Sequence, residues 1–99
     1  MDTVFVRAVF DIDCDWEGLP PVYRVFVNDE LFTERTWIWT DQHLQEILQI
    51  QAPPGKYRIR VESVGPSLAQ FRTWNHRIEH GSAAWIKKGS TIWIENESA

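Results

Sequence analysis

Residues 22–57 constrain the fold of this chain most tightly. VYRVFV alternates aromatic and β-branched side chains, and the Asn28-Asp29 pair that follows suits the positive φ angles of a two-residue hairpin turn. ELFTERTWIW then reads as a second strand, long enough to need a bend or bulge near Glu34-Arg35. EILQIQ makes a third and runs into Pro53-Pro54-Gly55, a turn signal, beyond which Tyr57, Ile59 and Val61 alternate with Arg58, Arg60 and Glu62. That pattern predicts two successive hairpins, with the rest of the chain added around them as further strands.

Residues 40–51 carry two overlapping patterns. Leu44, Ile47 and Leu48 make a helical stripe, whereas Leu48, Ile50 and Ala52 alternate. The run into the proline turn favours a strand, preceded by at most one helical turn at residues 41–44. Towards the N-terminus, Val4, Val6, Ala8, Phe10 and Ile12 fall on every second position, and Phe5 and Val9 on the other face imply a strand that is central or covered on both sides. DCDWEGLPP reads as the loop that ends it, because Gly18 permits a turn and Pro20-Pro21 cannot donate to a central ladder. After Gly65-Pro66, short alternating pieces recur at residues 68–71, 74–78, 83–86 and 91–94. Such spacing predicts an all-β, single-domain antiparallel β-sandwich over residues 1–99, Ig-like or jelly-roll-like, with roughly seven to nine strands. Residues 96–99 form a polar tail expected to fray.

The core of such a domain has to hold by packing alone. Cys14 is the single cysteine, so no internal disulfide forms, and six tryptophans, five phenylalanines and two tyrosines replace aliphatic bulk. Ten basic and fourteen acidic side chains give a net charge of -4, which argues against nucleic acid as a partner. No signal peptide precedes the first strand and no apolar run approaches membrane-spanning length, so a soluble chain made in the cytosol is expected.

Reactive constellations are scarce. Asp11, Asp13 and Asp15, with Glu17 behind them, resemble the start of a calcium loop, but the glycine comes late, Trp16 stands among them, and Val22 occupies the place of the bidentate glutamate. A solvated acidic loop is the plainer reading. His43, His76 and His80 are scattered; the last two share parity on one strand, about 13 Å apart, too far to hold one metal. No cofactor is implied, and no nucleophile elbow, zincin motif or phosphate loop is present, so a non-enzyme is expected. Trp37 and Trp39 point the same way from one strand and are either core or an exposed platform. Trp16 and Trp85, beside loops, are candidate interface anchors together with Arg35, while Trp74 and Trp93 within strands are expected to be buried. Arg7, Arg24, Arg58 and Arg60 would make a polar contact surface if they met on one face.

The run VFVNDELFTERTWIW with ILQIQAPPGKYRIRVE, over roughly residues 22–80, resembles small structural proteins of tailed bacteriophages, particularly those infecting marine cyanobacteria. The resemblance implies a virion component, decorating or cementing the capsid or associated with the tail, assembled in the host cytoplasm and held by other virion proteins or by further copies of itself. It carries over no catalytic or metal-binding residue. The latter half also resembles carbohydrate-binding β-sandwiches, which implies a host glycan as the alternative partner, stacked on Trp37 and Trp39.

Overall fold

The computed structural model describes residues 3–37, 43–64 and 68–95. Within them, eight strands make two antiparallel sheets packed face to face. β1 (Val4–Glu17) is the middle strand of the first sheet, between β4 (Leu44–Ala52) and β6 (Leu68–His80). The second sheet runs in the order β3 (Glu30–Thr36), β2 (Val22–Val27), β5 (Gly55–Val64), β8 (Thr91–Ile94), β7 (Ala83–Ile86), and a single 3-10 turn at Lys87–Gly89 joins the last two. The expectation of a single-domain antiparallel sandwich holds.

Alternation builds the core. Val4, Val6, Ala8, Phe10 and Ile12 of β1 meet Leu48 and Ile50 of β4 on one inner face, and Tyr23, Val25, Ile59, Ile92 and Ile94 supply the other. Burying each large side chain contributes about 1.5–3 kcal/mol relative to leaving it in water. Because β1 and β6 are long, the molecule is drawn out to 51 × 23 × 19 Å.

The first hairpin forms as the sequence predicts. Asn28 and Asp29 adopt φ of 49° and 68°, and Val27 lies opposite Glu30. Its bulge, however, lies at Phe32: Val25 pairs with Thr33 and Phe26 with Leu31, leaving that residue over. The shift sets Arg35 beside Tyr23, on the face turned towards the other sheet. β3 stops at Thr36, and Trp37 turns inward with its N–H donating to the Pro21 carbonyl at 2.7 Å. Trp39 and the first half of the expected helical turn, residues 41 and 42, lie outside the described residues, while Leu44 already belongs to β4.

Three other expectations are corrected. The acidic segment is strand through Glu17, not loop, because Asp13 to Glu17 find ladder partners in residues 68–72 of β6. Pro53-Pro54-Gly55 does not close a hairpin: β4 pairs with β1, whereas β5 pairs with β2 and β8, so the turn carries the chain from one sheet to the other. Alternation tells which face a residue takes and not which strand lies alongside. Finally, residues 68–80 are one strand, because β1 is long enough to pair along all of it. Bulges at Asn75-His76, where Asn75 has φ 54°, and at Glu79 break its register. The second bulge reverses parity, so His76 and His80 face opposite ways, His76 packing on Phe10 inside and His80 on Phe5 outside. Gly81 (φ 96°) then turns the chain towards β7, passing so close to β1 that a Cβ would lie 2.4 Å from the Phe5 carbonyl oxygen.

Candidate functional site

The outer face of the first sheet carries a row of paired polar side chains. Asp11, Asp13 and Asp15 sit at every second position of β1 and therefore on one face. Arg72 reaches them from β6, donating from Nη1 to Asp15 Oδ2 at 2.7 Å with Nη2 3.0 Å from Asp13 Oδ1. Arg77 Nη1 stands 3.5 Å from Asp11 Oδ1, and Asn75 Nδ2 donates to Asp11 Oδ2 at 3.1 Å. Arg72, by hydrogen bond and by charge, holds the Asp15 carboxyl below its ordinary range. A straight strand carries these carboxylates about 7 Å apart, and guanidinium groups supply their countercharge. Among the described residues no three His, Cys, Asp or Glu side chains converge as a metal ion requires.

Trp74 stands in the same surface, opposite Asp11 in the ladder and 39% exposed, with the His43 ring tilted against it at 5.5 Å between centroids. Gln45 lies across β1 in the same row. An exposed indole bordered by carboxylate, guanidinium and amide groups can stack on a ring and hydrogen-bond around it. Cys14 lies on the opposite face of β1, where burial, with Asp15 and Asp13 adding to it, pushes its thiol up to about 11.

A second cluster joins the sheets. Glu46 of β4 points inward with a side chain only 1% exposed, and its Oε1 accepts hydrogen bonds from the Tyr23 hydroxyl and from Arg35 Nε. Burial, then the Glu46 carboxylate, pushes the Tyr23 phenol above its ordinary range. Tyr23 in turn packs against Phe71 and Trp37, so a charged clasp closes an aromatic cluster. Its signal in the sequence was parity, since Glu46 falls in register with Leu48 and Ile50.

A cleft of about 260 Å³ opens between the sheets at the other flank, floored by Phe10, Phe71 and Ile59 and rimmed by His76, Lys88 and Ser90. Burial holds the His76 imidazole below its ordinary range, and its Nε2 lies 3.2 Å from Thr73 Oγ1. Gly89 (φ 82°) packs flat on that ring, where a Cβ would come within 2.4 Å.

The aromatic candidates exchange roles. Trp37 is 1% exposed and belongs to the core, so it offers no open platform, and Trp39 lies outside the described residues. Trp16 and Trp85 are half-buried, each one residue short of the end of its strand, β1 or β7, and the Trp85 indole donates to the Arg77 carbonyl at 2.9 Å. Arg35 is engaged by Glu46. Trp74 and Trp93, expected inside, are the exposed ones at 39% each. Parity explains both: Trp93 lies between buried Ile92 and Ile94, and Trp74 shares its row with Arg72. Arg24, Arg58 and Arg60 do meet on the outer face of the second sheet, paired with Glu34, Asp29 and Glu62, whereas Arg7 lies on β1 in the first sheet.

Among the described residues no helix is long and apolar enough to cross a membrane. Comparison of the chain with protein-family models, with curated proteins and with solved structures returned no match.

Proposed function

We propose that this chain is a non-enzymatic structural protein of a virion, decorating or cementing a phage capsid or docked on its tail after assembly in the host cytoplasm. The observation that carries the reading is the placement of large apolar side chains on the outside of a domain that already has a buried apolar core. Phe5, Ile47 and Trp74 on the first sheet, and Leu31, Phe32 and Trp93 on the second, are all exposed. Rings and aliphatic groups on both outer surfaces suit a component held between neighbours, where aromatic contacts supply much of the binding energy. Mass spectrometry of gradient-purified particles from cells expressing the chain tests this. Stoichiometric peptides are expected in the particle fraction, and a chain left wholly in the soluble fraction rejects the assignment.

A specific observation also keeps the glycan reading in play, with a different anchor. Trp37 cannot stack on a sugar from inside the core, but Trp74 is exposed and bordered by Asp11, Gln45 and Arg72. Titration with host polysaccharide, read by tryptophan emission in the chain and in Trp74→Ala, separates the two: a shift lost in the variant supports the sugar, and no shift leaves protein contacts.

A further inference from the structure

We infer that the free edge of β4 is a homotypic interface, at which a second copy of this chain adds its own β4 antiparallel and joins the two three-stranded sheets into one. The inference rests on the edge itself and stands apart from the virion reading.

The sandwich has four edge strands, β3, β4, β6 and β7. An open edge presents unpaired N–H and C=O groups, and proteins blunt such edges with bulges, charges or short length. β3 has a bulge at Phe32 and an outward charge at Glu34. β6 is broken twice in register and carries Arg72, Arg77 and Glu79, and β7 is only 4 residues long. β4 is neither bulged nor short, and its outward row carries no charge. Its 9 residues pair with β1 in one unbroken register, from Ile12 opposite Leu44 to Val4 opposite Ala52, and contain no proline or glycine. Among the described residues no strand pairs with its other side.

What lies along that edge selects a second copy as the occupant. The outward row of β4 is Gln45, Ile47, Gln49 and Gln51, all exposed and all uncharged. Its one charge, Glu46, is turned inward and held by Tyr23 and Arg35. Two copies that each carry a net charge of -4 can therefore approach here with no like charges opposed. An antiparallel two-fold centred on Ile47 sets that side chain, 43% exposed, against its own copy, with Gln45 facing the copy's Gln49 on either side. Paired glutamine amides donate and accept across the seam, and an apolar contact marks its centre. Such an interface is self-complementary and closed, as a two-fold dimer requires.

Sedimentation velocity of the full chain over a dilution series, with charge-swapped variants, provides the test. The wild type is expected to run as a dimer at high concentration. Gln45→Lys/Gln49→Lys and Gln45→Glu/Gln49→Glu, each altering only exposed side chains, should each fall to half the mass, and an equimolar mixture of the two should regain the dimer. Unchanged near-UV circular dichroism shows that the variants remain folded. A wild type that is monomeric at every concentration overturns the inference. So does a dimer that persists in both variants, or a mixture that stays monomeric.

Discussion

Replacing Arg35 with Met should reveal how strongly the two sheets are tied by the clasp at Glu46. Ion pairs in water couple by roughly 0.2–1 kcal/mol, whereas removing one partner of a buried pair costs about 3–5 kcal/mol. Here the Glu46 side chain is 1% exposed and that of Arg35 46%, so the pair falls between these limits, with a coupling of about 1–3 kcal/mol. The two single variants should also differ. Arg35→Met leaves a buried carboxylate with Tyr23 as its remaining hydrogen-bond donor in the clasp, while Glu46→Gln keeps an acceptor for Tyr23 and strands only a half-exposed guanidinium that water can satisfy. Urea unfolding followed by tryptophan fluorescence measures both effects. With a slope of about 1–3 kcal/mol per molar urea, a loss of about 2 kcal/mol lowers the midpoint by roughly 1 M. The double variant completes the cycle. A coupling under about 0.5 kcal/mol, or a greater loss in Glu46→Gln than in Arg35→Met, would refute the view that the pair acts as a buried clasp.

The same cluster sets an alkaline limit. Since the Tyr23 phenol titrates above its unfolded value of 10.0, its contribution is complete below pH 10 and declines above it, by about 1.4 kcal/mol per pH unit; stability measured between pH 9 and 11 should fall more steeply in the wild type than in Tyr23→Phe. Cys14, with its thiol raised from 9.0 to about 11, should react with iodoacetamide at pH 8 roughly a hundred-fold more slowly in the folded chain than in urea, and equal rates would contradict its described environment. Gly81→Ala places a methyl 2.4 Å from the Phe5 carbonyl at φ 96° and should cost more than about 2 kcal/mol by thermal or urea unfolding; a loss below about 1 kcal/mol would mean that β1 yields easily there.

Periodicity made the strands legible and their partners illegible. The hairpin at Asn28-Asp29 could be read because its turn and both flanking runs are contiguous in sequence. PPG looked the same but joins strands of different sheets, and nothing local distinguishes the two cases. The DCDWE run reads as a loop because Gly18 and Pro20-Pro21 follow it, while the arginine that pairs with its carboxylates lies far along the chain at Arg72. A tryptophan within a strand reads as buried, but parity decides: Trp93 alternates with Ile92 and Ile94, and that pattern places it outside. The Glu46 clasp is hidden in the sequence for a related reason, since a glutamate in a glutamine-rich strand stands out only by sharing the inner row with Leu48 and Ile50.

The pairing of β1 with strands from residues 44–52 and 68–80 has a consequence for biogenesis. β1 leaves the ribosome before both of its neighbours, so its valines and Phe10 stay uncovered until β4 and then β6 have been synthesised. Ladders between such distant segments close slowly, on the millisecond-to-second scale typical of all-β domains. A chain truncated after Val64, lacking β6 entirely, should therefore aggregate rather than fold.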